Sequence, residues 1–327
     1  MLRAIITGAG QDSSYLAEFL LDKQYEVLML TRRHSTVYQN TNIKNILSNA
    51  NFTIRYGDIT DPIFIGRMLN DFAPHEYYGL AAQSHVGYSF ENPVQTFKAT
   101  GQAVISQLDL VKEFSPSTRF YNAATSELFG GVNVPDTGYT EESPFYPKSP
   151  YAVAKAAGFY ATRNYREAYG MFACSGILFN HSSPRRGHDF ATRKITRGIA
   201  KVKLGMEKKL KMGDLSPFRD EGHAKDYVKA QWLMLQQQEP QDFIISTGSG
   251  ATIKEMFEYV CDIAGLEFKE VYESDPRFMR PSEVRFLRGN PSKANTILNW
   301  KPEYDWKELL REMYVSDLVE LSEISNA

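Results

Sequence analysis

Cysteine is almost missing from this chain of 327 residues, which holds only Cys174 and Cys261. Two thiols build neither a disulfide framework nor a cysteine-rich zinc site, so the chemistry must come from other groups. The six histidines show no HxxxH spacing, and no metal is expected. Charge of one sign is lacking too. Against 39 acidic residues stand 37 basic ones, a net −2 that offers no surface for nucleic acid or an anionic membrane. No apolar run is long enough to span a bilayer and no h-region opens the sequence, so a cytoplasmic location is expected. There is no low-complexity segment and no repeat with a period of about 20 to 50 residues, which excludes solenoids and propellers.

What is present is an ordinary globular composition, 43% hydrophobic and 23% charged, enough for one large α/β domain or two that share a core. Short apolar runs alternate with helical stretches through the first half. "RAIITG" leads into "SSYLAEFLLDKQ", then come "YEVLMLTRR", "FTIRYGD", "HEYYGLAAQ", "TRFYNAAT" and "FACSGILFN". Several are nearly unbroken in hydrophobicity, which argues for a parallel sheet covered on both faces, a doubly wound α/β fold. From Ser182 the texture turns basic and turn-rich, in "SSPRRGHDFATRKITRG" and "SDPRFMRPSEVRFLRGN", while "DFIISTG" reads as a late strand of the main sheet. The expected division is a dinucleotide-binding domain over 1–179, rejoined by 220–248, and a smaller interleaved α/β substrate region over 180–219 and 249–327.

"ITGAGQDSSYL" closes the first strand and opens the first helix. There Gly8 and Gly10 permit a tight turn, and free helix N–H groups can cradle a pyrophosphate. At the end of the second strand a carboxylate would bond the ribose 2′-hydroxyl of NAD. The chain has Arg32 and Arg33 instead, followed by His34 and Ser35, and two guanidiniums suit the 2′-phosphate of NADP. "SPYAVAKAAGFY" sets Tyr151 and Lys155 four apart on one helix face. An ammonium near a phenol, together with a positive nicotinamide, favours phenolate and brings it toward working range as a base. "TSELFG" adds Thr125, Ser126 and Glu127 at a strand tip, where the group reads either as a helix cap or as a hydroxyl and a base aimed at substrate.

These features resemble the extended short-chain dehydrogenase/reductases. The strings "GQDSSYLAEFLL", "TRRHS", "AAQSHV", "TSELFG", "PFYPKSPYAVAK", "GILFNHSSPRRG", "TRKITR", "RDEGHAKDYVKAQWLMLQ", "RPSEV" and "LNWKP" resemble the GDP-mannose 4,6-dehydratase family over nearly the whole chain. The resemblance implies a lyase acting on GDP-mannose, with Thr125, Glu127, Tyr151 and Lys155 as the catalytic set. It implies NADP held by Gly8, Gly10, Gln11 and Asp12 of the glycine loop with Arg32, Arg33, Ser35, Asp58, Ile59, Leu80, Ala82, Ser84, His181 and Arg186. The GDP-sugar would meet Ser84, Asn180, Lys194, Arg219, Arg280 and Glu283, although Lys194 and Arg280 read from the residues alone are equally well exposed surface cations. A homo-oligomer, tetramer or dimer, is implied as well. Departures from the family pattern are a glycine loop one residue shorter, with Ser13 in place of its last glycine, Gln95 in place of a tyrosine and Glu221 in place of a tryptophan beside Arg219. The alternatives on the same fold are another NADP-dependent nucleotide-sugar dehydratase, decarboxylase or 4-reductase. Outside catalysis the rival is an NADP-binding sensor, which would have no use for Glu127, Tyr151 and Lys155 together.

Overall fold

A computed structural model describes residues 1–33, 41–279 and 282–325. The apolar runs form thirteen strands among those residues: β1 (Arg3–Thr7), β2 (Glu26–Thr31), β3 (Phe52–Tyr56), β4 (Glu76–Gly79), β5 (Arg119–Thr125), β6 (Ala173–Leu178), β7 (Asn180–Ser182), β8 (Leu210–Met212), β9 (Phe218–His223), β10 (Phe243–Ile245), β11 (Gly250–Thr252), β12 (Tyr272–Ser274) and β13 (Phe286–Leu287). Seven of them make one parallel sheet in the order β10-β6-β5-β4-β1-β2-β3. The chain builds outward from β1 through β2 to β3, then crosses back to place β4 on the other side of β1. That reversal opens a crevice at the carboxyl ends of β1 and β4, the place where doubly wound folds bind ligands.

Alternation along the strands explains why both faces are covered. Ala4 and Ile6 point into a core shared with Tyr15, Leu16 and Leu20 of the helix Gln11–Asp22 and Tyr227 of the helix Ala224–Leu235. Ile5 points the other way, into a core with Ile65, Leu69, Leu108 and Val111 from the helices Pro62–Phe72 and Ala103–Phe114. A period of two buried on both faces is what the unbroken apolar strands required.

β7 follows β6 after a single residue, Phe179, so the chain steps directly from the carboxyl edge of the large sheet into a smaller one. There β9 is flanked by β11 antiparallel and by β13 and β7 parallel; β8 and β12 pair separately. β9 stays with the small sheet as far as His223, and the chain rejoins the large core with the helix beginning at Ala224. A second core forms where the helices Ala191–Lys203, Ile253–Ala264 and Trp306–Ser325 meet, around Ile195, Phe257, Leu309 and Met313. Among the described residues no helix is long and apolar enough to cross a membrane.

Candidate active site

The glycine turn sits at the carboxyl end of β1. Gly8 has φ +89°, a conformation that side chains rarely adopt, and a Cβ there would come within 3.3 Å of the Ser13 hydroxyl. Ser13 stands in the place expected of a third glycine and fits because its hydroxyl donates back to the Thr7 carbonyl at 3.2 Å. Gly10 caps the helix Gln11–Asp22 with no side chain bonded to its first N–H groups, and a Cβ at Gly10 would meet nothing within 4 Å. The shortened loop therefore keeps an open approach to a helix N-terminus, and these residues fit the diphosphate of a dinucleotide. Leu80 and Ala82 follow β4 beside this turn; the backbone N–H groups of Leu80 and Ala81 both donate to Thr7 Oγ1 at 3.0 Å. Ser84, a little farther on, is exposed.

Around the turn lies a buried polar cluster that joins both halves of the chain. Asp12 Oδ2 is 2.8 Å from His181 Nε2, and His181 Nδ1 is 2.7 Å from the Phe179 carbonyl oxygen. Both ring nitrogens are engaged, one by Asp12 and the other by the Phe179 carbonyl, so the ring is fixed in orientation between the two halves. Burial by itself would raise the Asp12 carboxyl. The charge and hydrogen bond of His181, the Gln11 amide and Arg186 outweigh it and hold Asp12 at about 2. Gln11 bridges the same halves, donating to the His181 carbonyl at 3.3 Å and accepting from Ser183 at 2.8 Å. The His181 ring stacks on Tyr227, and the Arg186 guanidinium lies 3.8 Å over the Phe190 ring with Nε buried and unbonded among the described residues. Sequence reasoning named Asp12, His181 and Arg186 separately; Ser183 and Tyr227, which lock the pair in place, carried no signal of their own.

Arg32 and Arg33 stand exposed past the end of β2, Arg33 with its guanidinium 5.8 Å from the centre of the Tyr56 ring. Next to them Asp58 follows β3. Burial raises its carboxyl, but the bonds from Thr60 N–H and hydroxyl, at 2.9 and 2.8 Å, with the charges of Arg32 and Lys98, bring the net shift down. Ile59 is half-buried against the core on that side. His34 and Ser35 lie outside the described residues.

At the tip of β5 the two readings of "TSELFG" meet. Thr125 does cap the 3-10 turn Ser126–Phe129, accepting from the Glu127 N–H at 3.3 Å. Glu127 is no solvated loop residue, being only 8% exposed. Tyr151 and Lys155 reach the same place from the helix Pro150–Tyr169, started by Ser149, which accepts from Ala152 N–H at 3.1 Å, and by Pro150 in the first turn. The Thr125 hydroxyl and the Glu127 carboxylate both lie near enough to act on the ionisation of the Tyr151 phenol.

Activation of Tyr151 is expected from Lys155 together with a positive nicotinamide, and in the chain by itself only the first of the two is in place. Burial drives the phenol up to about 12, further raised by Glu127, and the pull of Thr125 and Arg186 does not offset it. Lys155 spends its ammonium on the Ala123 carbonyl at 2.5 Å, 5.9 Å from the centre of the phenol ring, and burial pushes it down to about 8. In the chain by itself the ammonium does not bring the phenol into working range.

Of the expected substrate residues, Asn180 opens β7 with its Oδ1 buried and unbonded among the described residues. Arg219 and Glu283 are brought together as an ion pair at 2.8 Å, Arg219 being 6% exposed. Lys194, half-buried, holds its ammonium 3.1 Å from the centre of the Phe278 ring. Arg280 lies outside the described residues.

A glycine turn at the switch point of a parallel sheet, with a Thr–Tyr–Lys cluster beside it, is the combination of the extended short-chain dehydrogenase/reductases. Comparison with known proteins agrees. The UDP-glucose 4-epimerase of Thermus thermophilus in complex with NAD superposes with a TM-score of 0.82 at 25% identity, covering 97% of this chain and 99% of that one. The dTDP-glucose 4,6-dehydratase of Bacillus anthracis in complex with NAD shares the fold with a TM-score of 0.84 at 21% identity, over 99% of this chain and 98% of that one. The sequence profile described as GDP-mannose 4,6 dehydratase matches residues 5–313. The GDP-mannose 4,6-dehydratase of Vibrio cholerae is 44% identical over 354 aligned positions, 97% of this chain and 94% of the relative. GDP-mannose 4,6 dehydratase 2 of Arabidopsis thaliana is 44% identical over 96% of this chain and 86% of the relative. The chain belongs to the GDP-mannose 4,6-dehydratase family, and with it to the dehydratases.

Proposed function

We propose that the protein converts GDP-mannose to GDP-4-keto-6-deoxymannose and water, with an internal shift of hydride from C4 to C6 of the sugar. The observation that carries this reading is a buried Glu127 in electrostatic reach of Tyr151, two residues past Thr125 at the end of β5. A plain oxidoreductase uses a hydroxyl and a phenol; a carboxylate in the same pocket serves an enzyme that also moves a proton on carbon. Bound NADP would supply a hydride acceptor beside C4 and a positive ring beside the phenol. NADP rather than NAD is supported by Arg32 and Arg33, exposed where a 2′-hydroxyl reader would place a carboxylate.

The chain's own groups then divide the work. Thr125 orients the sugar's 4-hydroxyl and Tyr151 takes its proton as C4 is oxidised. The 4-ketone acidifies the hydrogen on C5. Glu127 takes that proton and returns it to the departing 6-hydroxyl, which leaves as water. Lys155, anchored on the Ala123 carbonyl, supplies positive charge beneath the reacting groups. Gly8, Gly10, Gln11, Asp12, Arg32, Arg33, Asp58, Ile59, Leu80, Ala82, Ser84, His181 and Arg186 hold the cofactor in this reading, with Ser35. Asn180, Lys194, Arg219, Arg280, Glu283 and Ser84 hold the GDP-sugar. Incubation with NADP and a panel of GDP-, UDP- and dTDP-sugars tests it. The expected result is a 4-keto product from GDP-mannose alone; product from a different nucleotide sugar, or none from any, contradicts it.

A further inference from the structure

β7 and β9 run parallel with Asn180 and Glu221 as direct partners, so their side chains share one face of the small sheet. Both carry a buried oxygen, Asn180 Oδ1 and Glu221 Oε1, with no hydrogen-bond partner among the described residues. Glu221 is 3% exposed, and the neighbouring Ser182 hydroxyl is 2.8 Å from Thr192 Oγ1, so Glu221 Oε1 is left to be filled. A buried acceptor left empty costs about 1–3 kcal/mol, so a pair of them on neighbouring strands calls for a ligand that donates. The surroundings say which kind. Burial raises the Glu221 carboxyl and Arg186, His181 and Arg219 pull it back, while no group of three or more metal-ligating side chains forms among the described residues. A neutral donor such as a hydroxyl suits the two acceptors.

We propose that Asn180 and Glu221 form an acceptor pair for sugar hydroxyls, ribose or hexose, at the junction of the cofactor and substrate halves. Glu221 is then a binding and specificity residue in a position the reaction chemistry does not use. On the same strand, two residues before Glu221, stands Arg219, paired with Glu283, so the acceptor pair adjoins the residues proposed to hold the GDP-sugar. The inference rests on reading this crevice as a site for a dinucleotide and a nucleotide sugar.

The test is calorimetric titration of NADP, GDP and GDP-mannose into the wild type, Glu221→Leu and Glu221→Gln, with thermal melts to verify folding. Leucine removes the acceptors at similar size; glutamine keeps one. The inference expects Glu221→Leu to weaken a ligand by roughly ten- to a hundredfold, the worth of a charge-assisted hydrogen bond, with partial recovery in Glu221→Gln. Weakening of GDP-mannose but not GDP assigns the hexose, weakening of both the nucleotide ribose, and weakening of NADP alone the cofactor ribose. Unchanged or tighter binding of all three in folded variants overturns it. So does equal weakening of all three in both variants, which marks a packing role. If the wild type binds a different nucleotide sugar and ignores GDP-mannose, the proposed substrate fails while the same comparison on that ligand still tests Glu221.

Discussion

Glu127 follows the hydroxyl that caps its own turn by two positions, and its local geometry by itself is satisfied by the capping role. Its burial and its reach to Tyr151 are what demand more. Glu127→Gln keeps the size and removes the base. We expect water elimination to fall by roughly 10²- to 10⁴-fold while calorimetry still registers GDP-mannose binding; near-normal turnover would reduce Glu127 to a structural residue. Tyr151 gives a pH test whose sign follows from burial. A phenol pushed up to about 12 stays protonated throughout the neutral range without a positive ligand beside it. The absorbance difference at about 295 nm between wild type and Tyr151→Phe should therefore stay flat through about pH 9 in the cofactor-free protein and rise at lower pH when NADP is bound. At the cofactor's far end, Arg32→Ala should cost NADP about 1.5–3 kcal/mol and leave NAD affinity unchanged. Equal NAD and NADP affinity in the unmodified protein would remove the case for NADP.

At the scale of elements, Asp220 on β9 carries an unusual share of the joint between the sheets. It accepts from Thr247 N–H and hydroxyl at 2.9 and 2.7 Å, from Gly248 N–H at 2.9 Å and from Gly289 N–H at 3.2 Å. Asp220→Ala leaves those donors without an acceptor, and urea unfolding should register a loss of about 3–5 kcal/mol. A change below about 1 kcal/mol would mean the loops after β10 and β13 are held by other means. The elements themselves were legible in sequence, because "RAIITG", "YEVLMLT" and "FACSGIL" could be buried on both faces only in a parallel sheet. The glycine turn and the Thr125, Glu127, Tyr151 and Lys155 group were legible for the same reason, each lying next to a strand end or within one helical turn. The Asp12–His181 pair was not, since 169 positions separate its members and only the step from β6 into β7 brings them together. Nor was the pairing of Asn180 with Glu221, because the register of two short strands is set by tertiary packing rather than by their pattern.

For the molecule as a whole, Val94, Phe97, Val153 and Tyr160 are 82%, 40%, 47% and 54% exposed on the helices Pro93–Phe97 and Pro150–Tyr169. We propose that apolar surface of this kind is covered in a homo-oligomer, so light scattering should give a multiple of 37.2 kDa; a monomer at micromolar concentration would contradict it. The central claim, that one pocket oxidises, dehydrates and reduces the same sugar, has a direct isotopic test. GDP-mannose carrying deuterium at C4 is converted in ordinary water, and the reverse experiment uses unlabelled sugar in heavy water. The account predicts that the C4 deuterium reappears at C6 of the same molecule and that heavy water adds a single deuterium at C5. Crossover of the C4 label between sugar molecules, or a net rise in absorbance at about 340 nm matching product formation, would contradict it.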